Sequence, residues 1–164
     1  MIFKASLDKV TLSLTIGITI LFLVIGIGSI CLEQDEKSDV PIYVDAFLFL
    51  IYVVCYGLSP KSYEINEKSL IIKRPFKDVV INRRQIASAA PIECSKLRWA
   101  IRTFGVGGLF GYFGKFWNKE FGDMTWYASQ RSHTVLIITN DQQKIILTPD
   151  EEVDFIKEVM NLNK

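Results

Sequence analysis

Two apolar stretches near the N-terminus decide the fold: residues 10–32 read VTLSLTIGITILFLVIGIGSICL, and residues 40–58 read VPIYVDAFLFLIYVVCYGL. A helix rises about 1.5 Å per residue, so about 20 apolar residues cross a hydrocarbon core of about 30 Å. The first stretch contains no charge, whereas the second is shorter and carries Asp45. We therefore predict a hairpin of two transmembrane helices joined by a loop at residues 33–39, which holds residues 59–164 at the membrane surface.

The net charge of the chain is +1, but the charges are unevenly distributed. From residue 59 onward there are 16 Lys and Arg against 12 Asp and Glu, and Lys4 and Lys9 precede the first stretch. The loop at 33–39 contains four acidic residues and one lysine. Basic flanks stay in the cytoplasm. We therefore expect a multi-pass protein of the cytoplasmic membrane, with both termini, including residues 1–9, in the cytoplasm and the loop outside.

A cleaved signal peptide is the alternative interpretation of the first stretch. Its apolar run is longer than the usual h-region of about 7–15 residues, and no small-x-small site precedes Glu33. Residues 28–31 resemble a lipoprotein box, but Ile30 is too bulky for the position before the modified Cys31. These features favour an uncleaved span.

The three cysteines predict no special chemistry. Cys31, Cys55 and Cys94 form no Cys-x-x-Cys pair, and the first two belong to opposite ends of the predicted hairpin. We expect neither a disulfide framework nor a zinc site, and no other cofactor.

Asp45 is the one ionisable residue within a predicted span, and such residues are candidates for function. It lies about one turn after Pro41, near the outer interface, where it can accept a hydrogen bond from Ser29. A lone carboxylate lacks the relay partners that proton or ion pathways use. We favour a structural role; a role in a pore, which would need several chains, is the alternative.

Residues 59–164 predict a mainly β domain that ends in a helix. The predicted strands cover residues 62–66, 70–74, 78–82, 86–93, 124–129, 134–139 and 144–147. Seven short, closely spaced strands are typical of a sandwich or barrel. Thr148 is the predicted N-cap, Pro149 the first helical residue and Glu151 the end of a capping box. The predicted buried stripe of this helix comprises Val153, Ile156, Val159 and Met160, widened by Phe155.

This domain resembles the pleckstrin-homology (PH) domain of a family of bacterial membrane proteins, in which it follows one or two spanning helices. The similar features are Tyr63-x-Ile65 with SLIIK at 69–73, a glycine-rich stretch at 105–114, and LTPDE at 147–151 followed by Phe155. The resemblance covers about residues 60–162. It implies a PH-like seven-stranded barrel capped by a C-terminal α-helix, and a membrane location. It implies no agreed ligand and no functional residues.

An aromatic, glycine-rich segment occupies residues 98–122, between the fourth and fifth predicted strands. Its flanks do not fit a nucleotide-binding loop, which needs a strand before it and a helix after it. Aromatic rings beside Lys and Arg fit a membrane-contacting loop. Large apolar residues most often fill a core or a subunit contact, which is the third interpretation. The candidate membrane or partner contacts are Arg98, Arg102, Phe110, Tyr112, Phe113, Lys115, Phe116, Trp117 and Lys119.

A second basic group surrounds the second and third predicted strands: Lys73, Arg74, Lys77, Arg83 and Arg84. In eukaryotic PH domains the loop between the first two strands often binds phosphoinositides. Here the corresponding turn at 67–69 reads EKS and is not strongly basic, which argues against a site of that type. We expect a solvated basic surface, and nothing matches a motif that binds nucleic acid.

The sequence does not favour catalysis. His133 is the one histidine and has no evident partner, and we find no nucleophile elbow and no metal pair. The resulting hypothesis is a membrane-anchored, non-enzymatic scaffold that presents a PH-like domain to protein or lipid partners. The alternatives are self-assembly through exposed strand edges, and an accessory subunit of a transporter or pore that uses Asp45.

Overall fold

The computed structural model describes residues 1–32 and 40–161, without the side chains of residues 30–32, 40 and 41. The predicted loop at 33–39 and the side chain of Cys31 therefore lie outside the described part. Four α-helices occur in the described residues: α1 (Lys9–Leu32), α2 (Val40–Leu58), α3 (Cys94–Leu97) and α4 (Glu152–Asn161). The strands are β1 (Ile2–Lys4), β2 (Ser62–Ile65), β3 (Ser69–Lys73), β4 (Val79–Asn82), β5 (Ile86–Pro91), β6 (Ile101–Gly107), β7 (Tyr112–Asn118), β8 (Gly122–Ala128), β9 (Val135–Thr139) and β10 (Lys144–Leu147).

The strands form two open sheets and not the closed seven-stranded barrel that we predicted. One sheet has the order β1-β2-β3-β4, and the other has the order β5-β9-β10-β8-β7-β6. Neighbours in the sheets are antiparallel except β10 and β8, which are parallel. All seven predicted strands are present within a few residues of their predicted bounds, and β1, β6 and β7 are additional. The extra strands widen both sheets and leave β6 as an exposed edge.

The main core lies between the two sheets and is closed by α4. Along β9 and β10, Val135, Ile137 and Ile145 belong to this core, while Leu136 and Ile146 belong to a second core on the outer face of the larger sheet. This alternation follows the period of two in a strand. The second core is covered by Leu97 of α3.

Tyr63 links the two sheets. Its ring is fully buried, its hydroxyl donates to the carbonyl of Tyr127 at 2.6 Å, and the same oxygen accepts from the N–H of Thr148 at 3.1 Å. Burial raises the pKa of Tyr63 to about 12, so the phenol stays protonated and remains a donor. The polar atom is thereby satisfied inside an apolar core.

Helix α4 begins at Glu152, later than predicted. Thr148 is not its N-cap, because its hydroxyl is buried and accepts from the N–H of Ser129 at 2.9 Å. The buried face is formed by Phe155 and Val159, with Ile156 partly buried, whereas the predicted stripe residues Val153 and Met160 are 64% and 39% exposed. Residues two apart lie about 200° apart around a helix, so burying Phe155 turns Val153 outward.

The aromatic, glycine-rich segment forms a β-hairpin, which the sequence did not predict. Strands β6 and β7 pair in antiparallel register, with Gly105 opposite Gly114 and a bulge between Arg102 and Phe104. Both glycines have a φ of +120°, and a Cβ on either would overlap a carbonyl oxygen of the facing strand. Glycine therefore permits the close approach of the two strands at this point.

Helices α1 and α2 pack against each other through polar contacts. The hydroxyls of Thr19 and Tyr52 lie 2.8 Å apart, and Ser29 donates to the carboxylate of Asp45. Most of the remaining large apolar side chains on both helices are exposed. Residues Lys9–Ser29 are long and apolar enough to cross a membrane, and only 11% of that stretch is buried, whereas Ile42–Leu58 is a shorter apolar helix. Within residues 1–32 and 40–161, one helix thus passes this criterion, and the two-helix transmembrane hairpin remains a prediction.

Candidate functional site

The start of α1 is fixed to the sheet domain by Asp8. Its carboxylate accepts from the N–H of Thr11 at 2.7 Å, the usual N-cap geometry, and from the N–H of Arg131 at 3.2 Å. Burial alone would raise the pKa of Asp8, but the hydrogen bonds from Thr11 and Arg131 outweigh burial and lower it below its ordinary value. One charged side chain therefore caps the helix and joins it to the loop after β8.

The tip of the β6–β7 hairpin, residues 108–111, packs against both apolar helices. A hydrogen bond from the N–H of Gly108 to the carbonyl of Gly111 (2.8 Å) closes the turn, and Phe110 adopts a φ of +58°. The N–H of Phe110 donates to Oγ1 of Thr15 at 3.0 Å. A bulky residue rarely adopts a positive φ. The contacts of the tip with the helices hold it in this conformation.

The Phe110 ring packs against the last two turns of α2. Its centroid lies 5.0 Å from the ring of Tyr52 and 5.4 Å from that of Tyr56, both in edge-on geometry. The ammonium of Lys61 lies 4.6 Å above the Tyr56 ring. On another loop, Phe76 covers Gly57, whose carbonyl accepts from the N–H of Phe76 at 3.0 Å. We call the contacts of Asp8, Thr15, Tyr52, Tyr56 and Phe110 the helix–domain joint.

The hairpin divides our candidate contact residues into buried and exposed groups. Tyr112, Phe113 and Phe116 are 3–5% exposed and are therefore not available to a membrane, and Tyr112 and Phe116 belong to the second core. Phe110 is buried against the helices instead. Arg98, Arg102, Lys115, Trp117 and Lys119 are exposed.

An apolar surface, which we name the edge surface, lies around β6: it comprises Trp99 before the strand, Ile101 and Phe104 on it, and Trp117 on β7. These side chains are 80%, 63%, 78% and 43% exposed. Ile101 and Trp117 are cross-strand partners, and β6 has a free edge in its sheet. Exposed apolar groups beside an unpaired edge are typical of interaction sites.

The second basic group does not form one continuous solvated surface. Lys73 pairs with Asp78 at 2.9 Å and with Glu64 at 3.4 Å. Arg83 is only 5% exposed and lies apart from the expected surface, because its guanidinium donates to the carbonyls of Glu158 and Val159 at the end of α4. Such donors satisfy the unpaired carbonyls of a helix C-terminus. Arg74, Lys77 and Arg84 keep solvent contact.

Asp45 and His133 occupy different settings. Asp45 is half-buried and accepts a hydrogen bond from Ser29, while His133 is exposed with a φ of +51°. No group of His, Cys, Asp or Glu in the described residues could hold a metal ion. Reasoning from the sequence missed the contact between Asp8 and the N–H of Arg131, because it joins positions more than 120 residues apart.

The sheet domain matches a known protein family. A family model described as a bacterial PH domain matches residues 61–163, which is more than half of the chain. The match includes both sheets except β1, and it does not include the two apolar helices. No curated protein and no solved structure matches the chain.

Proposed function

The chain belongs to the bacterial PH domain family, and from that membership we propose that it is a membrane-anchored, non-enzymatic binding protein. Its sheet domain is held at the cytoplasmic surface by α1 and α2, where it is presented to protein or lipid partners. The apolar, mostly unburied surface of both helices supports the anchor. The helix–domain joint supports a fixed orientation of the domain on that anchor.

The pairing of β1 with β2 is the observation that carries a two-span topology. Phe3 lies opposite Tyr63 in one sheet, and the carboxylate of Asp150 accepts from Oγ of Ser6 at 2.6 Å. The chain therefore enters α1 and leaves α2 on the same side of any membrane. If α1 crosses, α2 must cross back. Its 19 residues span about 28 Å at 1.5 Å per residue, close to the thickness of a bilayer core.

Cysteine labelling in intact bacterial cells tests this topology. In a Cys31→Ser background, a Glu36→Cys variant should react with a membrane-impermeant maleimide without lysis. Native Cys94 and a Glu67→Cys variant in the exposed β2–β3 turn should react only after lysis. If position 36 were protected from the maleimide in intact cells as fully as position 67, the two-span topology would be overturned.

Self-association through the edge surface is a second candidate function. A strand with free N–H and C=O groups can pair with a second copy, and the exposed Ile101 and Phe104 would then be covered. Cross-linking of the full chain in nanodiscs should give dimers that Phe104→Ser reduces. The matched control is Val80→Ser, since Val80 is 63% exposed on the smaller sheet. A strictly monomeric chain would exclude this role.

A further inference from the structure

A cavity of about 290 Å³ lies on the outer face of the larger sheet, beneath α3. Its apolar wall includes Leu97, Phe116 and Trp126, and the last two rings stack at 4.4 Å. Arg98 and Arg131 form its charged wall. Ligand sites commonly combine a mostly apolar lining with a few converging polar groups.

The two arginines make no ion pair with an acidic side chain of the described residues. The Arg131 guanidinium lies 4.7 Å from the Tyr112 ring centroid, and that of Arg98 lies 5.6 Å from the Trp99 centroid. Stacking on a ring occupies the face of a guanidinium and leaves its N–H edge free. The carboxylate of Asp8 lies near Arg131, but it already accepts hydrogen bonds from two backbone N–H groups. The cavity therefore has a positive wall, which Asp8 offsets only in part at Arg131 and which complements an anion.

The indole of Trp126 provides a second, independent observation. Trp126 is only 4% exposed, yet its Nε1–H has no acceptor among the described residues. Buried donors are normally paired, and an unpaired one costs stability. The Nε1 atom is itself enclosed by protein, so a ligand oxygen accepts from it only after the indole shifts toward the cavity.

The size and position of the cavity limit which ligands can bind in it. The cavity has about twice the volume of the roughly 150 Å³ cavity that accommodates benzene. This is room for one small anionic group and a short hydrocarbon segment, and not for a large headgroup. Because the N–H of Arg131 bonds to the cap of α1, the positive wall lies where that helix leaves the domain.

We propose that this cavity binds an amphipathic anion. Its carboxylate or phosphate pairs with Arg98 and Arg131, and its hydrocarbon lies on Phe116 and Leu97. The anion is either a membrane lipid or a soluble fatty acid, which share this chemistry. Binding of a membrane lipid rests on the proposed anchoring function, whereas binding of a soluble fatty acid does not.

The test uses the full chain in nanodiscs of zwitterionic phosphatidylcholine. Cys94 is exposed and lines the cavity, so its alkylation by iodoacetamide, followed by peptide mass spectrometry, reports occupancy. Octanoate should slow this alkylation, whereas octanol and octyltrimethylammonium, with the same chain length, should not. Cys55, buried in α2, is the internal control for disruption of the protein. Equal protection by all three compounds would overturn the proposal.

Charge-neutralising variants test whether Arg98 and Arg131 bind the anion. Arg131→Gln or Arg98→Gln should weaken octanoate binding about tenfold, the effect of losing one charge-assisted contact. Arg84→Gln, which removes an exposed arginine outside the cavity, should leave binding unchanged. Unchanged binding in both cavity variants would refute the site. If a variant fails to fold, the comparison of the three compounds on the unaltered chain still decides.

A further experiment with an anionic lipid identifies whether the bound anion comes from the membrane. Nanodiscs that contain phosphatidylglycerol, without octanoate, should protect Cys94 if the membrane supplies the ligand. Protection by octanoate alone would assign the cavity to a soluble anion, and protection by neither would overturn the proposal. Protection of Cys94 by octanoate does not depend on whether α1 and α2 span a membrane. A negative result with octanoate would therefore refute the cavity proposal without bearing on the proposed topology.

Discussion

The backbone N–H of Phe110 donates to Oγ1 of Thr15 at 3.0 Å, although 95 residues separate the two in the chain. Thr15 lies about 9 Å along α1 from its first residue, at 1.5 Å per residue. The hairpin tip therefore lies alongside the apolar helices rather than at their end. If α1 crosses a membrane, the tip reaches the interfacial depth of the bilayer.

Loss of the Phe110 ring should weaken the helix–domain joint. The ring is 8% exposed and contacts Tyr52 and Tyr56. Phe110→Ala should lower the free energy of unfolding by about 3 kcal/mol, as for other buried phenylalanines. Thermal unfolding of the full chain in nanodiscs measures this effect. The control is Val80→Ala, whose side chain is 63% exposed outside the edge surface; an equal loss in both variants would contradict the role of the joint.

Substitution of Gly114 should disrupt the β6–β7 hairpin. Its φ is +120°, and a Cβ would overlap the carbonyl oxygen of Phe104. We expect Gly114→Ala to cost 2 kcal/mol or more, roughly the sum of backbone strain and displaced strands. Hydrogen exchange of the β6 and β7 amides measures the loss. Gly17→Ala, where nothing lies within 4 Å of the added Cβ, is the control and should be neutral.

Arg83 should stabilise the end of α4. Its guanidinium donates to the carbonyls of Asn66, Glu158 and Val159 at 2.8–3.0 Å. Arg83→Gln should reduce the free energy of unfolding by about 2–4 kcal/mol, since hydrogen bonds to charged groups contribute about 1.5–3 kcal/mol each. Arg84→Gln should change it by less than about 0.5 kcal/mol, the usual range for surface substitutions. Urea denaturation of both variants distinguishes them, and equal midpoints would refute the capping role.

The joint should loosen in acid through Asp8. Its pKa in the folded protein lies below the ordinary value of 3.8, so the folded state favours the carboxylate. The resulting stabilisation is fully present above pH 3.8 and is lost as the pH falls through the folded-state pKa. Asp8→Asn should therefore be less stable than the native chain at neutral pH, and the difference should shrink in acid. A difference that stays constant with pH would exclude this contribution.

Several elements could be predicted from the sequence because their signals are local. The two apolar helices follow from long, mostly apolar stretches, of which the second is interrupted by Asp45. The hairpin of β2 and β3 and the hairpin of β9 and β10 follow from apolar runs flanked by polar turns. The membership of residues 61–163 in the bacterial PH domain family confirms the resemblance drawn from those patterns. In each case the residues that carry the signal are near neighbours in the chain.

The remaining features depend on contacts between distant residues. Ile2–Lys4 is a strand only because β2 provides a partner, and the glycine-rich segment is a hairpin only because Gly105 and Gly114 let two strands approach. Composition alone does not distinguish the buried Phe110 from the exposed Phe104. The sequence by itself determined which segments are apolar, extended or helical, because those properties depend on local composition and periodicity. Only the tertiary structure decided which side chains meet, because burial and charge pairing depend on how the two sheets pack on each other and on the helices.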